Sequence, residues 1–383
     1  MNKGLIALAF GTLGLGITEF VMMGILSDVA NNLNINIETA GHLISAYALG
    51  VCCGAPALIL ARRKPLKHIL MALVGIMIIG NLAAALSPNY GTLLVSRFLS
   101  GLPHGAYFGV ASIVASSLAK EGQKSLAIAI MISGMTFANL FGVPLGTSLS
   151  LYFSWRIVFF IVVFWSIVVL IAIWKWLPHV PNLPDTGFKG QFKFLKSPAP
   201  WLLILATMVG NGSIFCWFSY VNPLFTTTTG FSPEAMAYIM VLAGLGMVIG
   251  NLVSGRLSDR FGPSKVVLFV QGFVLIALVT LYLFAESKWI ATLFLFLSTA
   301  SLFALSSPQQ MLLIQFSKGG ELLGAASAQI AFNLGNALGA YLGGVSIGLG
   351  YAYPYTALFG VPLSMVGFIT LLIFRQYYSQ RTN

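Results

Sequence analysis

At the centre of the first long apolar segment stands the stretch Gly11-Thr12-Leu13-Gly14-Leu15-Gly16-Ile17-Thr18-Glu19-Phe20. Among the nine acidic residues of the chain, Glu19 is the one that cannot be placed at a loop or at a helix end. A carboxylate at membrane depth costs about 2.5–3.5 kcal/mol on insertion scales, so an acid in such a position is by default a functional-site candidate. If this segment crosses a membrane, Glu19 is the residue that needs an explanation.

The composition is that of a membrane protein. Apolar residues make up 58% of the 383 residues, charged residues make up 8%, and the mean hydropathy is +0.91. Soluble domains carry about 25% charged residues, which excludes that class. Because one membrane span needs about 20 apolar residues, the chain has room for roughly twelve spans with short connections.

Hydropathy and loop signals place these twelve spans. Irregular backbone cannot face lipid, and barrel strands of about ten alternating residues do not fit such long apolar runs, so the spans must be helices. The N-terminal segment imitates a signal peptide, but its apolar run continues past Glu19 and Ser27-Asp28 is no small-residue cleavage site. The spans lie near 4–27, 39–61, 67–87, 91–118, 124–150, 155–177, 200–225, 234–256, 264–285, 289–316, 321–349 and 353–375.

Lysine and arginine orient the chain in the membrane. With the N-terminus inside, seventeen of the twenty basic residues fall on the cytoplasmic side, and the other three are Arg97, Arg156 and Lys288. This bias explains the net charge of +11 without nucleic acid, for which the chain lacks a basic domain. We therefore expect a multi-pass protein of a bacterial-type inner (plasma) membrane, with both termini cytoplasmic.

The chain divides into two copies of one plan. Five positions recur 196 residues later, among them Glu38 as Glu234, and residues 139–146 recur 197 residues later as residues 336–343. An even number of spans per copy makes the repeats parallel, as in two six-helix halves around a central site. The predicted fold is an all-α membrane protein of twelve transmembrane helices in two pseudo-symmetric six-helix bundles, 1–177 and 200–383.

Residues 178–199 form the cytoplasmic linker between the two bundles. Three prolines, Pro178, Pro181 and Pro184, bar a helix at its start. From Phe188 to Leu195 the sequence alternates Phe and Lys, which suits a short segment lying on the anionic leaflet. A plain tether is the alternative, and both interpretations stay open.

Four motifs make the chain resemble the major facilitator superfamily. Residues 250–262, which begin at Gly250, resemble the family's cytoplasmic loop signature, and Arg97-Phe98-Leu99-Ser100-Gly101-Leu102-Pro103-His104-Gly105 resembles its second motif, whose arginine is linked to proton coupling. In span 5, Gly142-Val143-Pro144-Leu145-Gly146 resembles the motif associated with antiporters, and Ser154-Trp155-Arg156 resembles the pattern that opens span 6. The chain is most similar to AraJ-type permeases, arabinose- or sugar-efflux-like members of the drug:proton antiporter branch.

In one place the chain departs from the family pattern. The loop signature is usually strong in the first half, but residues 61–66 lack its aspartate and the following glycine. Because the first-half loop lacks these residues, the resemblance implies that Asp259 in the second half has the charge-relay role. Asp259 and Arg260 lie at a cytoplasmic helix end, where a carboxylate can cap a neighbouring helix N-terminus. A conformational latch is the prediction, and a solvated turn is the alternative.

Glu19, Arg97 and His104 are the predicted proton-coupling residues. Arg97 and His104 are seven residues apart, on one face of span 4, at depths that bracket Glu19, so we expect all three to line one aqueous cavity. Burial favours the neutral acid and a nearby arginine favours the charged one, so opening the cavity would change whether Glu19 holds its proton. The alternatives are a static Glu–Arg pair that fixes helix packing and, for His104, a polar group that satisfies backbone at a bend.

Glycines recur at every fourth residue in two spans and predict close helix approach. Packing alone is one interpretation. The other is that they form, with Pro144, a tight seal between the halves that opens as the halves rock. The residues concerned are Gly142, Gly146, Gly335, Gly339 and Gly343.

The substrate cavity is predicted from polar and aromatic residues of the second half. Amide groups beside aromatic faces suit a neutral sugar or an amphipathic drug, whereas an anionic metabolite would call for more than one buried arginine. Each residue has helix packing as its alternative role. The set is Asn211, Phe215, Trp217, Tyr220, Gln309, Gln310, Gln329, Asn333 and Asn336.

No enzyme motif competes with transport. The sequence has no phosphate-binding loop, no nucleophile elbow and no metal-ligand spacing, and its three cysteines lie in apolar runs. We expect no enzymatic activity, no cofactor and no metal, and we expect a monomer whose partners are lipid, protons and a small-molecule substrate. The predicted function is proton-coupled export by alternating access. A proton/sugar symporter or uniporter is the first alternative, and a non-transporting membrane receptor is the second.

Overall fold

A computed structural model describes residues 3–61, 64–119, 124–178, 180, 192–317 and 321–378. Most of the predicted linker, residues 181–191, lies outside the described residues. Within them the chain is helical, without strands, and eleven helices have the length and hydropathy needed to cross a membrane. The 25-residue helix Ile37–Ala61 completes a set of twelve long helical segments in this part of the chain.

The twelve segments match the twelve predicted spans in number and order. Segment α5 is continuous but contains a π-helical turn, and the other eleven are single α-helices. The segments are α1 (Lys3–Gly24), α2 (Ile37–Ala61), α3 (Leu66–Ala85), α4 (Tyr90–Leu118), α5 (Lys124–Phe137, Ala138–Gly142 and Val143–Tyr152), α6 (Trp155–Trp176), α7 (Pro198–Phe218), α8 (Met236–Phe261), α9 (Pro263–Phe284), α10 (Lys288–Gln315), α11 (Glu321–Gly348) and α12 (Tyr355–Tyr377).

Two predicted spans extend more than two residues beyond the ends of their helices. The first was expected to reach residue 27, but α1 ends at Gly24 and a short helix, Leu26–Leu33, follows. The seventh was expected to reach residue 225, but α7 ends at Phe218 and a separate π-helical turn, Leu224–Thr228, lies beyond it. In both places the sequence stays apolar after the helix has ended, so hydropathy cannot mark the boundary.

The π-helical turn in α5, Ala138–Gly142, ends two residues before Pro144. Pro144 has no N–H to donate to the carbonyl group four residues earlier, so the regular bonding pattern cannot pass through it. Asn139 lies within the turn and donates its side-chain Nδ2 to the carbonyl oxygen of Met135 at 3.0 Å. The predicted antiporter-like motif therefore begins at the last residue of the π-helical turn, Gly142.

The helices form two bundles, α1–α6 and α7–α12, that meet along two seams. One seam is the packing of α2 against α11, and the other is the packing of α8 against α5. We call the end with the connections 25–36, 86–89, 153–154, 219–235, 285–287 and 349–354 the odd-loop end, and the opposite one the even-loop end. The sequence predicts that the even-loop end is cytoplasmic.

A polar network fixes the odd-loop end of the first bundle. Asp28 accepts a hydrogen bond from the Ser150 hydroxyl group at 2.5 Å. Arg156 donates to Asn32 Oδ1 at 2.6 Å and to the carbonyl oxygen of Ser87 at 3.0 Å. The short helix after α1 is thereby tied to α5 and α6.

The Asp28 carboxyl group predicts a pH dependence of stability. Burial raises its pKa above the ordinary value, against the hydrogen bond from Ser150 that lowers it. The folded protein thus binds this proton more tightly than the unfolded chain, and stability falls as pH rises from the unfolded pKa through the raised one. We expect Asp28→Asn to raise the thermal unfolding midpoint in alkaline buffer and to leave it unchanged in acid. The control Ser150→Ala should lower the midpoint in alkaline buffer, whereas an asparagine variant less stable than the wild type at high pH would contradict the prediction.

Candidate functional site

Glu19 lies in the interior between the two bundles, with 1% of its surface exposed. Its Oε1 accepts a hydrogen bond from Asn336 Nδ2 of α11 at 3.4 Å. Its Oε2 lies 3.7 Å from His104 Nδ1 of α4 and has no hydrogen-bond partner. The carboxyl group is therefore contacted from both bundles at once, and one of its oxygen atoms is left unsatisfied.

His104 connects Glu19 to a phenol. Its Nδ1 lies 2.9 Å from Tyr47 Oη of α2, and its ring stacks on Phe108 at a centroid distance of 5.0 Å. Either partner can donate in the His104–Tyr47 bond, depending on the tautomer of the imidazole. The Glu19 carboxyl group and the Tyr47 hydroxyl group thus both approach Nδ1 of His104 inside the first bundle. Sequence analysis missed Tyr47, because nothing in the sequence sets this tyrosine apart from the other aromatic residues of the spans.

Arg97 is fully buried, and its bonds go to backbone groups. Its Nε donates to the carbonyl oxygen of Leu43 at 3.3 Å and its Nη1 to that of Thr18 at 2.8 Å. The guanidinium group lies 4.5 Å from the centroid of the Tyr47 ring, and Nη2 has no hydrogen-bond partner. Arg97 therefore joins α4 to α1 and α2. The basic side chain within 4 Å of the Glu19 carboxyl group is that of His104, so the direct Glu–Arg pair considered from the sequence is not formed between these described side chains.

The free energy of a charged Glu19 carboxylate depends on its surroundings. A buried carboxylate with an unsatisfied oxygen is costly, whereas a neighbouring cation stabilises the charged form. Since Asn336 belongs to the second bundle, its hydrogen bond to Glu19 exists only while the two bundles lie together at this seam.

The second bundle holds a group of buried amides with orphaned atoms. Asn211 Nδ2 donates to Gln309 Oε1 at 3.2 Å, which leaves Asn211 Oδ1 and Gln309 Nε2 without partners. Asn333 Nδ2 donates to the carbonyl oxygen of Gln329 at 3.0 Å, and the Oδ1 atoms of Asn333 and Asn336 have no partner either. Buried polar groups are normally satisfied, so these atoms are available to water or to a ligand. The side chain of Gln310 lies outside the described residues.

The three predicted aromatic residues pack against protein in this arrangement. Phe215 meets Phe332 of α11 edge-on at 5.5 Å, Tyr220 donates to the carbonyl oxygen of Ala340 at 2.7 Å, and Trp217 packs against Phe218. Phe215, Trp217 and Tyr220 are all fully buried. In this arrangement these three side chains contact protein, and their role in an aromatic-lined substrate cavity stays a prediction.

Glycines bring α7 and α11 together. A Cβ atom added at Gly335, Gly339 or Gly343 would overlap a backbone carbonyl oxygen of α7. In the first bundle, a Cβ added at Gly142 would lie 2.5 Å from Ile17 Cγ1, and one at Gly146 would lie 2.7 Å from Val21 Cγ2, both on α1. All five glycines thus face the first helix of their own bundle and not the seam between the bundles.

Other residues form the seam at which a seal was expected. A Cβ added at Gly244 of α8 would lie 2.5 Å from the carbonyl oxygen of Asn139 in α5. Pro144 lines the same seam farther toward the odd-loop end. Gly250 instead packs on the backbone of Ala300 in α10, within its own bundle.

The predicted latch at the even-loop end is described only in part. Arg260 is exposed, and its guanidinium group lies 5.1 Å from the ring centroid of the adjacent Phe261. The side chain of Asp259 lies outside the described residues, so the latch stays a prediction. Among the side chains that are described, no group of three or more His, Cys, Asp or Glu is placed to hold a metal ion.

Comparison with known proteins gives consistent matches over nearly the whole chain. The family model of the Major Facilitator Superfamily matches residues 8–331. The putative transporter AraJ of Escherichia coli (strain K12) is 48% identical, over 100% of this chain and 97% of that protein. A probable sugar efflux transporter of Helicobacter pylori (strain ATCC 700392 / 26695) is 27% identical, over 87% of this chain and 86% of that protein. The crystal structure of a D-xylose-proton symporter superposes with a TM-score of 0.76 at 14% identity, over 98% and 97% of the two chains, which shows a common fold alone.

Proposed function

This chain belongs to the Major Facilitator Superfamily, and from that membership we propose that it is a proton-coupled exporter of a neutral sugar or an amphipathic drug-like compound. Transport would proceed by alternating access, with the two bundles moving about a central site. A multi-pass position in a bacterial inner membrane, with both termini and the linker in the cytoplasm, completes the proposal. The protein would act as a monomer.

One observation carries this proposal. The carboxyl group of Glu19 is buried where the bundles meet, and it contacts Asn336 of one bundle and His104 of the other. A proton bound to this group would respond to the position of the bundles, and the bundles would respond to the proton, because such linkage is reciprocal. Coupling requires that proton and substrate bind differently in the two states. The position of Glu19 between the bundles supports such a difference for the proton.

The energy available to such an exchange is sufficient for export. One proton crossing is worth about 2.3 kcal/mol per 100 mV of membrane potential. Each unit of pH difference adds about 1.4 kcal/mol. An exchange of one proton for one substrate molecule can therefore sustain a substrate gradient on the order of a hundredfold or more.

The orphaned amides support the proposed substrate class. Asn211 Oδ1 and Asn333 Oδ1 accept hydrogen bonds and Gln309 Nε2 donates them, so the unsatisfied set is mixed and uncharged. Hydroxyl groups both donate and accept, which makes a polyhydroxylated neutral molecule a suitable partner. The Helicobacter pylori relative, a probable sugar efflux transporter, agrees with this choice.

Transport in vesicles with controlled pH tests the proposal. The purified protein is reconstituted, a pH difference is imposed, and a panel of radiolabelled sugars and lipophilic cations is supplied with a pH-sensitive dye inside. We expect one class to move against its gradient while protons move in the opposite direction. Movement of both in the same direction would establish the symporter alternative, and substrate movement without protons would establish a uniporter. A chain that moves no substrate of either class while remaining folded would contradict transport and favour the receptor.

A further inference from the structure

The two seams between the bundles are related by the internal repeat, but they differ at the odd-loop end. Glu38 at the start of α2 corresponds to Glu234, 196 residues later, next to α8. Gly348 of α11 corresponds to Leu151 of α5, 197 residues earlier. Each seam therefore brings one glutamate toward a helix of the other bundle, and the repeat allows the two environments to be compared directly.

The seam between α2 and α11 is closed around its glutamate. A Cβ atom added at Gly348 would overlap the Glu38 carboxylate, and one added at Gly344 would lie 3.5 Å from Glu38 Cγ. The side chain of Glu38 is half-buried and thus lies against two glycines of α11.

The seam between α8 and α5 stays open because the equivalent positions carry side chains. Thr147 and Leu151 stand where α11 has its two glycines, so Glu234 cannot lie against the helix in the same way. A cleft of about 330 Å³ remains between the bundles, at the lower end of the range for small-molecule sites. It is lined by Pro144, Leu145, Thr147, Ser148, Leu151, Tyr152, Pro233, Glu234, Ala237, Tyr238 and Val241.

The chemistry of the lining selects for positive charge. Glu234 is the single ionisable carboxylate in the lining, and neither lysine, arginine nor histidine is among the lining residues. Lys288, the first residue of α10, is not a lining residue, and its ammonium group lies 5.1 Å from the ring centroid of Phe231. The rings of Tyr152 and Tyr238 are 69% and 77% exposed at the mouth, where aromatic faces attract organic cations.

We propose that this cleft binds a monovalent organic cation with an apolar body, such as a lipophilic ammonium or phosphonium ion. The carboxylate of Glu234 pairs with the charge, the two tyrosine rings flank it, and Leu145, Leu151 and Val241 contact the apolar part. A phospholipid head group is a poorer occupant, because its phosphate would meet a carboxylate and no basic residue. The site is therefore assigned to a cation that reaches it from solution.

The site is separate from the Glu19 cluster and does not rest on the proposed export function. A ligand in the cleft contacts α5 of one bundle and α8 of the other, so it favours the arrangement in which this seam has its present width. By population shift, such a ligand opposes any movement that closes or widens the seam. The expected consequence is inhibition by cations that need not be transported themselves.

Equilibrium binding of radiolabelled tetraphenylphosphonium to the purified full-length chain in phosphatidylcholine nanodiscs tests the proposal. Glu234→Gln removes the charge from an exposed position, and we expect it to weaken binding about fivefold, as for one cation contact at an exposed site. Ala237→Phe fills the cleft while the carboxylate stays, and it should weaken binding at least as much. The matched control is Glu38→Gln, the repeat-related glutamate on the closed seam, which should bind the probe like the wild type.

Four outcomes would overturn the site. Wild-type affinity in Glu234→Gln would show that the carboxylate is not involved, and an equal loss in Glu38→Gln would reduce the effect to surface charge. Wild-type affinity in Ala237→Phe would show that the probe does not occupy the cleft. Loss of probe binding when phosphatidylethanolamine is added to the nanodiscs would assign the cleft to a lipid head group instead.

Discussion

Glu19→Gln is expected to abolish pH-driven uphill transport while substrate exchange across the membrane continues. Glutamine keeps the size of the side chain and the oxygen that accepts from Asn336, but it cannot take up and release a proton at neutral pH. Binding of substrate and movement of the bundles are left in place, whereas the link to the proton gradient is removed. A gradient on the order of a hundredfold in the wild type should fall to none.

The measurement is uphill flux and counterflow in the same vesicles. Asp28→Asn is the matched control, since it makes the same acid-to-amide change at the odd-loop end outside the cluster and should retain uphill transport. A Glu19→Gln protein that still drives uphill export would show that Glu19 is not the proton carrier. A variant that loses exchange as well as uphill flux would assign the residue to substrate binding or packing.

Gly339→Leu is expected to prevent the second bundle from folding correctly. A Cβ atom at this position would overlap the carbonyl oxygen of Gly212 and lie 2.9 Å from Phe215 Cβ, so α7 and α11 must move apart. Overpacking that only displaces side chains costs about 1–3 kcal/mol, and a clash with backbone exceeds that range. The gain in helix propensity from replacing glycine is about 1 kcal/mol and does not offset it.

Gly142→Leu is the matched comparison for this prediction. The three atoms nearest to the added one there all belong to the flexible Ile17 side chain on α1, two residues from Glu19. We expect this variant to insert and fold at a cost of about 1–3 kcal/mol, but to lose most transport because α1 is displaced next to its acid. Size-exclusion profiles and thermal unfolding separate the two variants. A folded, monodisperse Gly339→Leu protein would contradict the packing argument, and normal transport by Gly142→Leu would remove any gating role from that glycine.

Much of the fold followed from the sequence because lipid leaves a helix as the one way for a long apolar segment to satisfy its backbone. The predicted span 264–285, for example, is the helix Pro263–Phe284. The predictions were less accurate where polar signals were missing. Ile25 and Val221 are apolar and buried, yet the backbone leaves the preceding helices before them, so hydropathy extended both spans too far.

The residues of the site could be predicted from the sequence more readily than the contacts between them. Glu19, His104 and Asn336 are polar residues inside apolar spans, so each could be picked out singly. Asn336 was assigned to the substrate cavity, but it contacts Glu19 across the seam between the bundles. Tyr47 was not picked out at all, because a tyrosine in a membrane span looks like any other aromatic residue until its hydroxyl group is seen beside His104.

The sequence by itself determined the number of helices, the duplication and the few polar groups that a membrane interior has to accommodate. Which of these groups meet was decided by the tertiary structure: Glu19 with His104 instead of Arg97, the glycines of α11 with α7 instead of the other bundle, and one seam closed on Glu38 while its counterpart stays open beside Glu234. The physical reason is that these helices are apolar on nearly every side, so the pattern along each one does not specify its rotation. Rotation is set by close packing against neighbouring helices, where a single glycine or its absence changes which surfaces can touch.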